Sequence, residues 1–93
     1  MVDAILKMDR AMAMGDYKTV EMFALKTLDR PFPKPDNLEN LMLHYALGEA
    51  YEKMQDSENA AKHYQYCADN GGETALKTAS IAALQRLLLT QSV

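Results

Sequence analysis

His63 and Cys67 form the one pair of side chains in this sequence whose types and spacing suit chemistry. They stand four residues apart in a stretch with helical periodicity, so they share one face of a helix. A cysteine beside a histidine can act as a nucleophile or contribute two zinc ligands. No CxxC or HxxxH motif accompanies the pair, and a buried cysteine behaves as a small apolar residue. We therefore interpret Cys67 as a packing residue and predict no catalytic site, metal or cofactor.

Motifs of other enzyme classes are missing from the sequence. It contains no glycine-rich phosphate loop, no GxSxG and no paired acidic motif. Gly71 and Gly72 precede a predicted helix, whose N-terminus could bind an anion, but the end of the helix before them explains them more simply. We predict that the chain is not an enzyme. An enzyme or metal protein that uses Cys67 and His63 is kept as an alternative.

Composition and charge indicate one small helical domain. The 93 residues are 48% apolar, with two Phe and no Trp, and a composition rich in Ala, Leu and Met favours helices over sheets. The formal charge of −3 argues against a nucleic-acid partner, which requires a basic surface.

No stretch approaches the roughly 18 apolar residues of a membrane span, and the first residues lack the pattern of a secretory signal. The single Cys favours a reducing compartment. These features predict a cytoplasmic protein without a membrane partner.

Apolar periodicity and its breaks divide the chain into five helices. The spacing predicts helices over residues 2–14, 17–28, 38–54, 57–69 and 73–90. Gly15 suits the residue that follows a helix end, and Asp16 and Asp56 suit the N-caps of the second and fourth helices. The first four helices are thus expected to form two hairpins with short turns.

A proline-rich loop is predicted between the two hairpins. Prolines at positions 31, 33 and 35 forbid a helix and favour an extended backbone over residues 31–37. Asp36 with Glu39 then matches a capping box for the third helix. We expect this loop to be exposed and to tolerate shortening.

The third and fourth helices are predicted to pack closely. A glycine inside a helix costs about 1 kcal/mol relative to alanine, so Gly48 indicates the close approach of a neighbouring helix. We expect the small Ala60 to face Gly48, with tyrosine rings filling the wider gaps on either side.

The order of small and large residues in this hairpin resembles a tetratricopeptide (TPR) repeat, whose pattern is W-x-x-L-G-x-x-Y followed by A-x-x-x-F. The matching residues are Leu47, Gly48, Tyr51 and Ala60, with Tyr64 in the place of Phe and His44 in that of Trp. If Gly15 is position 15 of a repeat of about 34 residues, the glycine at position 8 of the next repeat would be residue 42. The observed glycine is Gly48, and the proline-rich loop accommodates the six additional residues. A helical hairpin of an unrelated bundle is the alternative.

The resemblance implies an all-α fold of five helices in an α-α superhelix, with two TPR-like helical hairpins and a C-terminal capping helix. Its parts would be a degenerate first repeat at residues 1–30, the proline-rich loop at 31–37, a well-matched repeat at 38–70 and the capping helix at 73–91.

A function follows from the same resemblance. TPR domains hold a peptide or helix of another protein in the concave groove formed by the first helix of each unit, without catalysis. The groove positions correspond to Ile5, Asp9, Met12, Met42, Tyr45, Glu49 and Glu52. Some members bind a C-terminal carboxylate through Lys and Asn, but the matching positions here are Ile5, Asp9 and Ala46. An apolar groove with acidic residues suits an apolar or partly basic ligand.

The fifth helix carries more apolar surface than a capping helix requires. Its main apolar stripe consists of Leu76, Ala79, Ser80, Ala83, Leu84 and Leu87. Ile81 and Leu88 lie beside this stripe and Leu89 lies further round, whereas a terminal cap has a polar outer face. The alternative function is therefore a self-association or structural module that dimerises through this helix. Continuation of the original chain into further repeats would cover the same residues.

Overall fold

Five helices make up the fold. A computed structural model describes residues 2–29, 37–72 and 74–91, and within these ranges the side chains of residues 2–5, 90 and 91 are left aside. The helices are α1 (Val2–Ala13), α2 (Tyr17–Leu28), α3 (Leu38–Lys53), α4 (Ser57–Asn70) and α5 (Ala75–Gln91). The described ranges contain no strand, so the predicted all-α fold of five helices is confirmed.

The start of α3 differs from the prediction. Asn37, and not Asp36, is its N-cap, and its Oδ1 accepts hydrogen bonds from the backbone N–H groups of Glu39 (2.9 Å) and Asn40 (3.3 Å). The predicted capping box is therefore wrong, because asparagine satisfies the first backbone donors as well as aspartate does and the helix begins immediately after it. Of the predicted proline-rich loop (residues 31–37), residues 31–36 lie outside the described residues, and Asn37 is the N-cap of α3.

The turns inside the two hairpins share one backbone pattern. Gly15 and Gln55 both adopt positive φ (78° and 64°), and each is followed by the aspartate that caps the next helix. The backbone N–H of Asp16 donates to Ala11 and that of Asp56 to Tyr51, both at 2.8 Å. The two predicted N-caps are thus confirmed. The hairpins repeat at an offset of 40 residues (15 to 55, 16 to 56), longer than a repeat of about 34 residues.

Helix packing follows the chain. Each helix packs against the next, and α1 also contacts α3 as α3 contacts α5. In the described ranges α2 and α4 make no such contact with each other. The odd-numbered helices therefore form one side of the domain and the even-numbered helices the other.

Two apolar clusters fill the interior. The larger contains Met8, Ala24, Leu43, Leu47, Tyr51, Ala60, Tyr64, Ala83 and Leu87, and the smaller contains Ala11, Val20 and Ala50. The predicted stripe of α5 supplies Ala83 and Leu87 to the core. Outside that stripe, Ile81, Leu88 and Leu89 are 41%, 65% and 71% exposed, as expected for residues that do not belong to the core.

The close approach at Gly48 is present, but its partner is not the predicted one. A Cβ atom added to Gly48 would lie 2.7 Å from Cε1 and 2.8 Å from Cδ1 of Tyr64. The tyrosine ring, rather than Ala60, therefore lies against the glycine. The ring is fully buried, and its hydroxyl donates to Glu52 at 2.8 Å. Because both ends of this side chain are held, it has little freedom to move away from a larger residue.

Replacing Gly48 by alanine should destabilise the domain. Alanine gains about 1 kcal/mol in helix propensity, but overpacking against a fixed ring costs about 1–3 kcal/mol, so we expect a net loss of up to about 2 kcal/mol in the free energy of unfolding. Urea denaturation of G48A, of Y64L and of the double variant measures it. In the Y64L background, where the ring is absent, G48A should become neutral or stabilising. Equal effects of G48A in both backgrounds would contradict the ring contact.

Candidate functional site

A pocket of about 140 Å³ opens between the odd-numbered helices. We call it the groove pocket, and its lining residues are Met8 and Asp9 of α1, Met42, Tyr45, Ala46 and Glu49 of α3, and Leu76 of α5. Its position requires α1 and α5 to flank α3, which is the arrangement that the helix packing produces. An engineered cavity of about 150 Å³ accommodates benzene, so the groove pocket is large enough for one side chain of a partner.

Four of the predicted groove residues line this pocket together: Asp9, Met42, Tyr45 and Glu49. Met12 is half-buried against the smaller apolar cluster instead. Ile5 lies in α1, but its side chain is outside the described residues. That these side chains bind a partner stays a prediction, while the structure shows that most of them face one space.

Glu52 was predicted to face the groove, but its carboxylate is bonded to side chains of two other helices. It accepts hydrogen bonds from the Tyr64 hydroxyl (2.8 Å) and from the Arg86 guanidinium, at 2.7 Å for Nε and 2.8 Å for Nη2. Arg86 lowers the pKa of Glu52, and the Tyr64 hydrogen bond contributes in the same direction. The carboxylate thereby joins α3 to both α4 and α5, and its charge is already compensated.

Glu49 is held less firmly than Glu52. It makes no hydrogen bond or ion pair with another described residue, although Lys53 and Arg86 are near enough to act on it through charge. Burial raises the pKa of Glu49, and the charges of Glu52 and Asp9 raise it further. The groove pocket therefore contains a half-buried carboxyl group that no other described residue binds.

Tyr45 is fixed by the core beneath it. Its ring packs edge-on against Tyr64, with ring centroids 5.5 Å apart. Burial raises the pKa of Tyr45, so its hydroxyl stays protonated at neutral pH. The groove pocket thus has one rigid aromatic wall beside its carboxylates.

A second cluster of polar and aromatic side chains joins α3 to α4. Nδ1 of His44 lies 2.9 Å from Nδ1 of His63, so one ring donates to the other. His44 also stacks on Tyr66, with ring centroids 3.7 Å apart, and His63 stacks on Tyr51 at 5.5 Å. Burial lowers the pKa of His44 to about 4, and the charge of His63 contributes. Burial also lowers the pKa of His63, with a contribution from Lys62.

Cys67 and His63 are not joined by a hydrogen bond. The thiol is fully buried and donates to the backbone carbonyl of Leu41 at 3.1 Å, whereas the ring of His63 is engaged with His44. Burial raises the pKa of Cys67, which disfavours the reactive thiolate. The geometry is that of a packed thiol and an interhelical histidine pair.

Two further searches bear on the kind of site. Within the described ranges, no group of three or more His, Cys, Asp or Glu side chains could hold a metal ion. None of the helices, over the residues described, is long and apolar enough to cross a membrane.

Comparison of the chain with models of known protein families, with curated proteins and with solved structures gives no match. The TPR resemblance therefore depends on the residues of the chain itself.

Several residues of the site were not identified from the sequence. Met8, Ala46 and Leu76 complete the groove pocket, and Arg86 holds Glu52. The stripe of α5 already contained Leu76, but its position opposite α1 depends on helix packing. The sequence of α5 contains no Asp or Glu, so helical spacing alone did not indicate an ion pair for Arg86.

The histidine pair should make stability depend on pH. A lowered pKa in the folded state means that the unfolded chain binds more protons between pH 6.5 and about 4. Above pH 6.5 both histidines are neutral in the folded and unfolded chain, so stability is not reduced. As the pH falls from 6.5 toward 4, protonation of the unfolded chain lowers the free energy of unfolding. Because the rings are partly exposed, we expect a loss on the order of 2 kcal/mol in the free energy of unfolding. Urea denaturation at pH 7 and pH 4.5 measures it.

The matched control for this experiment is H44Q. Carboxylates also titrate in the acid range, but H44Q retains them and removes the pair. Its loss of stability between the two pH values should be smaller than that of the parent. Equal losses in both proteins would show that the histidine pair does not couple folding to protons.

Proposed function

We propose that this chain is a non-enzymatic protein–protein interaction module that binds a peptide or helix of a partner protein along the groove between α1, α3 and α5. The observation that supports it best is the groove pocket, in which Met42 and Tyr45 stand beside the carboxyl groups of Asp9 and Glu49. Met42 is 37% exposed. A concave apolar site with a few oriented polar groups is the usual form of a binding site.

The resemblance to TPR repeats supports the same surface. The two hairpins with matching turns place α1 and α3 in equivalent positions, and α5 follows them on the same side. A partner would then contact the odd-numbered helices, while α2 and α4 support them from behind. The rigid ring of Tyr45 is the best candidate for the residue that contributes most to affinity.

The remaining parts of the proposal concern chemistry and location. A buried thiol with a raised pKa and a histidine pair that is stacked between tyrosines give no exposed nucleophile, which supports binding rather than catalysis. We place the module in the cytoplasm, and the single cysteine is consistent with a reducing compartment.

A peptide-display selection against the full chain tests the groove. Peptides that bind the parent should lose affinity for the double variant Y45A/E49K by about 30-fold, as expected for removal of an aromatic hot spot worth on the order of 2 kcal/mol. Fluorescence anisotropy measures the Kd. The matched control is M22S, since Met22 is 58% exposed on α2, on the other side of the domain. Peptides that bind Y45A/E49K as well as they bind the parent would exclude this groove.

Self-association through α5 is the second candidate. Ile81, Leu88 and Leu89 are the exposed large apolar residues of this helix, and they belong to neither apolar cluster. If they join two copies, the double variant I81K/L88K should be monomeric at concentrations where the parent is dimeric, with unchanged helicity. Sedimentation velocity across a dilution series measures this. A parent that is monomeric up to high concentration would exclude the candidate.

A further inference from the structure

We propose that the groove pocket accepts a single lysine or arginine side chain of the bound segment, with its aliphatic stem on the apolar walls and its cationic end between Asp9 and Glu49. This inference rests on the proposed function and names the chemistry of the partner. It requires three properties of the pocket: a size that fits one long side chain, apolar walls for its stem, and two carboxyl groups that no described residue binds by a hydrogen bond or an ion pair.

Size and walls fit a long, narrow side chain. The volume of about 140 Å³ is enough for one side chain and too small for a segment of main chain with several. Met8 is 3% exposed and forms part of the wall, together with Leu76 from the opposite helix. Lysine and arginine bury their methylene stems along such surfaces while the charged end reaches a polar rim.

The charge at the pocket is negative. Asp9 comes from α1 and Glu49 from α3, so the two carboxyl groups are contributed by different helices. Neither makes a hydrogen bond or ion pair with another described residue. Lys53 and Arg86 line a neighbouring depression together with Glu49 and Glu52, and both cations act on Glu49 through charge. Arg86 donates to both oxygens of Glu52, and neither cation forms an ion pair with Glu49 in the described ranges. A cation from outside would therefore meet two carboxylates without breaking a described hydrogen bond or ion pair.

Other side chains fit the same space less well. A leucine or methionine of the partner would cover Glu49 and remove its water without offering a hydrogen bond, which disfavours binding. An acidic side chain would be repelled by Asp9 and Glu49. The ring of Tyr45, which lines the pocket and is held by its contact with Tyr64, is of a type whose face attracts a cation. Charge and shape together thus select a basic residue.

The first experiment requires no partner. The chain contains seven methionines, and labelling their methyl groups with ¹³C gives NMR signals for Met8 and Met42 in the pocket. Titration with n-butylguanidinium should shift these two signals to saturation, whereas n-pentanol, which has a similar stem and no charge, should not. The variant E49Q should weaken the binding of n-butylguanidinium at least threefold. The control E58Q, an exposed acid on α4, should leave it unchanged.

The second experiment uses peptides that the display selection enriches. Replacement of one lysine or arginine by norleucine should weaken binding to the parent at least tenfold, and binding to E49Q much less. Peptides that bind through the groove without any such basic residue would overturn the inference and leave the proposed function intact.

The remaining outcomes separate the two proposals. If no peptide binds but n-butylguanidinium titrates Met8 and Met42 in a manner that depends on Glu49, the pocket recognises a basic side chain and the proposed function fails. If n-butylguanidinium shifts no pocket methyl, or shifts E49Q equally, the inference is overturned whatever the peptides do. Circular dichroism of E49Q and E58Q verifies that both variants are folded.

Discussion

The contact between Gly48 and Tyr64 is the constraint on which the rest of the structure depends. The ring of Tyr64 lies 2.7 Å from the place where a Cβ atom of residue 48 would stand, so α3 and α4 approach each other more closely than a larger residue at this position would allow. The hydroxyl of that ring then meets Glu52, and Glu52 binds Arg86 of α5. One glycine thereby sets the positions of three helices. The helix-propensity cost of glycine, about 1 kcal/mol, is offset by the burial of a whole tyrosine.

The same chain of contacts shapes the groove pocket. The ring of Tyr45 packs edge-on against the ring of Tyr64, so the aromatic wall of the groove pocket is held by the tyrosine that lies between α3 and α4. Arg86 forms an ion pair with Glu52 but acts on Glu49 only through charge. Two acids three positions apart on one helix consequently differ in their contacts: Glu52 is bound to α4 and α5, and Glu49 faces the groove pocket. The residue that joins the helices and the residue that lines the pocket thus lie about one helical turn apart on α3.

The sequence predicted those features whose cause lies within a few residues. Asp16 and Asp56 satisfy nearby backbone donors, so both caps and the helix that follows each could be located. The contact of Gly48 was assigned to Ala60 because small residues were expected to face each other, yet the ring of Tyr64 occupies the space. The pairing of His44 with His63 could not be predicted either, since residues 19 positions apart meet only after two helices have packed.

Among the helices, α3 explains why the site was only partly predictable. It contacts all four other helices, so apolar residues occur around most of its circumference and periodicity alone cannot assign its faces. Leu43 and Leu47 enter the larger cluster, Ala50 enters the smaller one, and His44 meets α4. The strip that remains carries Met42, Tyr45 and Glu49. Core contacts bury Leu43, Leu47 and Ala50, so along the middle of α3 the strip of Met42, Tyr45 and Glu49 is the part that faces an open pocket.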